Sequence, residues 1–256
     1  MPWRQGLKHD AASVMELSRD ETGRLRNKLG EIVDVESEYV YPLLKGSDLF
    51  HQRDASKSVI ATQKKLGEST RHLEWTAPRL WNYLTAHADV FERRKSSIYR
   101  NKPSFSMFGI GDYSFSPYKV GISGLHKTPM FRAIGPTDGR AAMLDDTCYF
   151  IACRSPEQAA FLAALLNDTA SLELIGAMVF LDSKCPITKK LLQRIDLRAL
   201  LDQTDKQTLL TRAEAHFARL DSSMSLQETM RTFSMEKLIF NEATDDSGEL
   251  QMSLKF

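Results

Sequence analysis

Long apolar runs are missing from this 256-residue sequence. A membrane-spanning helix needs roughly 18 or more consecutive apolar residues, and no run approaches that, so the chain reads as cytoplasmic, with no membrane partner. Residues 1–10 are charged where a secretion signal would carry an apolar stretch. Cysteine is scarce: Cys148, Cys153 and Cys185 are an odd number in apolar surroundings, which fits reduced core thiols better than a disulfide framework. Cys148 and Cys153 lack a second Cys/His pair at finger spacing and the six histidines are scattered, so no metal site is expected. With 13 Gly, 9 Pro, 42% apolar and 26% charged residues, disordered and fibrous classes are excluded. Neither an internal repeat nor a low-complexity tract is present, and the length suits one large domain or two small ones.

Catalytic signatures are also thin. No Ser/His/Asp order suggests a hydrolase, and a single histidine such as His87 on an expected helix reads as packed or solvated. Phe108-Gly109-Ile110-Gly111 brings two glycines close together. A dinucleotide loop would need a preceding buried strand, a third glycine and a following helix, whereas Asp112–Pro117 continues as extended chain, so bend or bulge glycines are the better reading. Glu173, Asp182 and Lys184 resemble the acid, acid-x-Lys set of metal-dependent nucleases, though Asp182-Ser183-Lys184 looks more like a polar turn before a helix. A nuclease using Asp182 and Lys184 stays open as a rival. Pro-Pro is absent altogether, and with it the Asn/Asp/Ser-Pro-Pro-aromatic loop by which amino methyltransferases grip a flipped base.

Acids are missing from one long stretch. Residues 93–132 carry Arg93, Arg94, Lys95, Arg100, Lys102, Lys119, Lys127 and Arg132 against the single acid Asp112, interleaved with seven aromatics. The chain as a whole is +1; this stretch at +7 leaves the remaining 216 residues at −6, a polarisation that orients a molecule on a polyanion. Residues 93–102 (RRKSSIYRNK) mix point charges, forked guanidiniums and hydroxyl donors, the types that neutralise and hydrogen-bond phosphates. The bland explanation of the first of them is a basic helix C-terminus that suits the helix dipole. Lys119, Ser123 and Lys127 recur at intervals of four and share one strand face with Gly121 and Leu125, where a small residue would let a duplex approach; a solvated sheet face is the alternative.

The pattern of residues predicts an α+β fold, a mixed, largely antiparallel sheet with helices around it. Residues 31–41 (EIVDVESEYVY) alternate as a half-buried strand leading into a turn-rich loop at 42–49. Residues 78–94 place Leu80, Trp81, Leu84, Ala88 and Phe91 at helical spacing. Aromatic and β-branched residues with frequent glycine read as short strands over 104–153. Ser155-Pro156-Glu157 then opens a helix, with Ser as cap and Pro first. Further helices are expected at 170–179, 187–201 and 205–220, the last packing Leu209, Leu210, Ala213, Phe217 and Leu220 on one face, before a frayed acidic tail.

Six segments, WRQGLKHD (3–10), VYPLLKGSDL (40–49), RKSSIY (94–99), FGIGDYSF (108–115), YKVGISGL (118–125) and LDDTCYF (144–150), resemble the C-terminal part of adenine-specific N-6 DNA methylases of restriction-modification systems, over about residues 3–201. The resemblance implies a large protein whose N-terminal Rossmann-like domain binds S-adenosylmethionine and carries the Asn-Pro-Pro-aromatic loop, while the C-terminal part holds a target-recognition domain. Those catalytic motifs are not in this sequence, so a fragment, split-gene product or recognition subunit is expected, inactive alone, binding no cofactor itself and partnered by a methyltransferase catalytic domain or subunit. Domains are read as 1–201, the DNA-specificity domain, and 202–256, a helical extension that docks a partner.

The resemblance makes Arg94, Lys95, Ser96, Ser97 and Tyr99 a phosphate-contacting stretch beside Arg93, with Lys119, Ser123 and Lys127 lining the same cleft. Arg100, Asn101 and Lys102 are nominated as base-reading residues, and Gln63 and Lys64 as a second group. Pro42–Lys45 is open between a binding element and a structural turn. The resulting expectation is sequence-specific binding of double-stranded DNA as the specificity part of an adenine methyltransferase; a non-binding remnant is the remaining alternative.

Overall fold

The segment AAFLAALL at 159–166 has no polar face, and the fold covers it on every side. The computed structural model describes residues 1–179, 185–220, 226–227 and 234–240. Among the described residues nine strands run in chain order: β1 Arg4–Gln5, β2 Glu16–Arg19, β3 Leu25–Arg26, β4 Val40–Leu44, β5 Lys57–Ile60, β6 Tyr118–Ser123, β7 Phe131–Ile134, β8 Met143–Leu144 and β9 Cys148–Cys153. Between and after them come α1 Ala12–Met15, α2 Gly46–Phe50, α3 Leu73–Thr76, α4 Pro78–Ala86, α5 Ala88–Glu92, α6 Pro156–Leu166, α7 Thr169–Met178, α8 Lys189–Leu192, α9 Leu197–Gln203, α10 Lys206–Phe217 and α11 Met235–Phe240. The protein is α+β, with two sheets.

The first sheet has the order β1-β9-β6-β7 and is antiparallel throughout. Period-two alternation divides its faces. Val120, Ile122, Phe131, Ala133, Ile151 and Cys153 point into the core beneath α6, and α10 and α11 close over the far side of that helix. This is why α6 is apolar all round. No single helix among the described residues is long and apolar enough to cross a membrane. Ser155 starts α6 as expected, its hydroxyl accepting the Gln158 N–H at 3.2 Å with Pro156 in the first turn.

The opposite face of the same sheet carries Gly121, Ile134, Cys148 and Phe150, which pack on Leu49 of α2 and on Leu44 and Leu144. Those last two belong to the second sheet, ordered β3-β2-β5-β4-β8 and antiparallel except for the β4–β8 pair. Its other face supplies Leu17, Leu43, Val59 and Met143 to a separate core closed by Leu73, Leu80, Leu84 and Phe91 from α3, α4 and α5. Pro42 is tolerated inside β4 because β8 pairs only with Leu43 and Leu44, beyond it.

Several expected boundaries move. The strand anticipated over 31–41 forms ladder pairs only from Val40, after a 3₁₀ turn at Ser37–Tyr39; Val33 and Val35 are buried, but as an extended edge rather than a strand. The 78–94 helix breaks at His87. Its ring Nδ1 sits 2.8 Å from the Tyr83 carbonyl oxygen that a continuing helix would give to the His87 N–H, and that N–H turns to Leu84 instead. Asp196 splits the 187–201 helix by accepting the N–H groups of Arg198 and Ala199 and so starting α9. The extended chain expected at 112–115 is a 3₁₀ turn. Cys148 and Cys153 are buried free thiols; Cys185 is exposed rather than in the core. Asp182, Lys184 and the acidic tail lie outside the described residues, while Glu173 is on an exposed face of α7.

Candidate nucleic-acid interface

The motif segments scattered along the sequence come together where the two sheets meet. Leu7 donates to the Leu144 carbonyl at 2.7 Å, and Lys8 exchanges both backbone hydrogen bonds with Phe108. The chains are so close there that a Cβ on Gly109, at φ +69°, would lie 2.2 Å from the Gly6 carbonyl oxygen. Gly109 therefore seats chain on chain, while a Cβ on Gly111 would lie 2.5 Å from the Tyr113 ring. Gln5 donates to the Asp146 carbonyl at 2.8 Å, and Lys8 bridges the Asp10 and Asp146 carboxylates at 3.0 and 3.1 Å. Those hydrogen bonds and charges, led by Asp10, raise the Lys8 pKa and keep it cationic.

Arg94 is the correction of greatest consequence for the expected phosphate-contacting stretch. Its guanidinium donates to the backbone oxygens of Phe91, His9 and Ser106 at 3.0, 3.3 and 2.7 Å and lies 3.8 Å from the Tyr99 ring centroid. Tyr99 in turn meets the Phe108 ring edge-on. Three carbonyls take Nε–H and both Nη1–H donors of the guanidinium and a ring covers its face, so Arg94 and Tyr99 staple the loop to the 8–10 segment. The half-buried Ser96 lies between them. What the staple presents is the rest of the loop: Lys95, Ser97, Arg100, Asn101 and Lys102 are exposed. Arg93 is exposed and paired with Asp89 one helical turn back, at 2.8 Å. Lys95, Arg100, Lys102 and Lys127 make no ion pair with any described residue.

The proposed face on β6 points the other way. Lys119 is 0% exposed and Ser123 2%, because the side of the strand that carries Gly121 is the interior side, where Leu49 and Leu144 fill the space above the glycine. Lys119 donates to the Ser116 carbonyl, and burial pulls its pKa down to about 7. Ser123 Oγ is 2.7 Å from His126 Nδ1. Of the three only Lys127, past the strand end, is exposed. Gln63 is likewise structural: buried, it accepts the Met107 N–H at 2.7 Å and donates to the Glu68 carbonyl. Lys64 beside it is exposed. Pro42–Leu44 proves to be a strand, with Lys45 immediately beyond it.

A second cationic group was not visible in the sequence. Glu16, at the start of β2 and 6% exposed, receives Lys45 at 2.7 and 2.8 Å and Lys28 at 2.8 Å, with Lys57 at 3.9 Å. Burial opposes ionisation of this carboxyl, yet the lysine hydrogen bonds outweigh it and hold the pKa below the usual range. His9 lies 3.9 Å from the same carboxylate; burial lowers its pKa to about 4, so it is neutral at neutral pH. Since the His9 carbonyl also accepts from Arg94, residues 8–10 join this cluster to the basic loop.

No family model matches the chain. Over 200 residues it is 43% identical to the type II methyltransferase M.NspV of Nostoc sp., an alignment that covers 77% of this chain. The chain is a homologue of part of a type II methyltransferase. It spans 42% of that protein's length. A solved structure of the type IIL restriction-modification enzyme MmeI in complex with DNA resembles 94% of this chain and 36% of that one, at a TM-score of 0.42 and 10% identity.

Proposed function

We propose that this chain binds double-stranded DNA sequence-specifically, as the target-recognition part of an adenine-N6 methyltransferase of a restriction-modification system. The observation that carries the reading is the loop 95–102, held from behind by Arg94 and Tyr99 and offering Lys95, Arg100 and Lys102 outward without internal ion partners among the described residues. Homology to a type II methyltransferase supplies the setting, and the lack of any Pro-Pro loop in the sequence fits a division of labour in which catalysis and the S-adenosylmethionine site belong to a partner domain or subunit. In this reading the chain acts by positioning: phosphate contacts set the register, base-edge contacts from Arg100, Asn101 or Lys102 select the site, and the catalytic partner takes the flipped adenine.

Duplex binding by the purified chain across a salt series, with a random-sequence pool, tests it. Salt-dependent binding with an enriched motif that contains adenine is the expected result. Replacing Lys95 by Ala should flatten the slope of log K against log salt by about 0.9, one phosphate contact, while replacing Arg100 and Lys102 by Ala should relax the enriched motif. Lack of duplex binding at low salt overturns the proposal, and an enriched motif without adenine removes its methylation specificity.

A further inference from the structure

Burying one carboxylate calls for one compensating cation, and Glu16 has three. Lys28 follows β3, Lys45 follows β4 and Lys57 opens β5, so three separate chain segments spend a lysine on the same acid. Their side chains are 43%, 28% and 39% exposed, open to solvent on the side away from Glu16. Nearby acids are already engaged. The Asp48 carboxylate accepts the Lys45 backbone N–H at 2.9 Å and approaches Arg53 at 3.9 Å; the Asp145 carboxylate accepts from Thr147 and from the Cys148 thiol. His9 is held neutral by burial.

The backbone that carries Lys45 is fixed as closely as the ammonium itself. Gly46 N–H donates to Thr147 Oγ1 at 3.2 Å, and a Cβ on Gly46 would lie 2.7 Å from Ser123 Oγ and 2.8 Å from Thr147 Oγ1. Lys45 is thus clamped between the end of β6 and the 145–147 turn, and Glu16 holds its tip from behind. Like charges gathered this closely repel one another. Three cations sharing one buried anion keep a positive surplus that an external anion relieves, and a preformed group binds with little ordering cost.

We infer that Lys28, Lys45 and Lys57, gathered on Glu16, form a phosphodiester-binding site that grips the DNA backbone at a point separate from the 95–102 loop. This rests on the DNA-binding reading above and adds to it a second place of contact, linked to the first through Lys8-His9-Asp10. The shared chemistry is an anionic phosphate oxygen, and the site is assigned to duplex DNA rather than to free phosphate.

The test is the Lys28→Gln/Lys57→Gln double variant in the full chain. It leaves Lys45 paired one-to-one with Glu16, so the buried carboxylate stays compensated, and thermal unfolding should match the parent. Duplex binding should weaken for all sequences, with the salt slope flattened by about 1.8. If the parent binds duplex DNA and the variant keeps the parent's slope, the cluster is outside the interface: this inference falls while the proposed function stands. Inorganic phosphate at millimolar concentration, scored by thermal shift, separates the sources. Protection of the parent but not the variant, with unchanged DNA slopes, would make the cluster a free-phosphate site and overturn the assignment to DNA. A parent that fails to bind duplex DNA at low salt removes both readings together.

Discussion

The loop 95–102 and the Glu16 cluster are both cationic, and they are built in opposite ways. The loop draws its charge from one contiguous stretch and leaves those cations without ion partners among the described residues, while the arginine just before it, Arg94, does the structural work. In the cluster, lysines from three segments converge on a buried acid. The lesson is that a basic residue's position in a charge run says little about its task; what its donors meet decides. Lys119 shows the same thing in a third environment, inside the protein and bonded to a backbone carbonyl.

The two regions should therefore respond differently to loss of charge. Replacing Lys28, Lys45 and Lys57 all by Gln leaves Glu16 buried and uncompensated, so urea unfolding should show a loss of about 3 kcal/mol; a loss no larger than that of the double variant would mean Glu16 needs no cation. His9, which joins the regions, gives an effect nearly as large that appears only in acid. Its pKa is about 4 when folded against 6.5 when unfolded, so the unfolded chain binds the extra proton between those values. Stability from this group is full above pH 6.5 and is lost as pH falls toward 4, by about 3 kcal/mol at most at 1.36 kcal/mol per pKa unit. His9→Gln should flatten that part of the pH–stability curve.

Within the loop, Arg94→Ala should cost about 2 kcal/mol, since it strands the buried oxygens of His9 and Ser106; an unchanged melting temperature would return Arg94 to the surface. Lys119→Met should act in the other direction, stabilising by about 1–2 kcal/mol at pH 6. The folded pKa of Lys119 is about 7 against 10.5 unfolded, so the unfolded chain binds more protons in that window, wild-type stability rises with pH across it, and the advantage of the variant should shrink as pH climbs. The smallest effect is expected for Lys95→Ala and Lys102→Ala, within about 0.5 kcal/mol of the parent in stability while DNA affinity falls.

Much of the architecture was legible because it is local. Ser155-Pro156 announces α6, the spacing of Leu209, Ala213 and Phe217 announces α10, and aromatic and β-branched runs mark β6, β7 and β9. Boundaries failed where one side chain competes with the backbone: the His87 ring takes a helical carbonyl and Asp196 starts a helix in the middle of an apolar pattern. In the candidate site, the charge run located the loop but did not separate Arg94 and Tyr99 from their exposed neighbours.

The β6 reading failed for a more general reason. Period two fixes that Lys119, Gly121 and Ser123 share a face, but a strand's sequence does not say whether the polar-looking face is wet or is covered by a second sheet. By itself the sequence determined the composition class, the helical and β segments, the segregation of charge toward residues 93–132 and the lack of an Asn-Pro-Pro-aromatic loop, because each is a property of neighbours in the chain. Only the tertiary structure decided which cations are free, because Lys28, Lys45 and Lys57 meet at Glu16 through strand pairing that no local pattern encodes, and because burial, set by α2 and β8 packing on β6, turns a candidate DNA contact into an interior lysine.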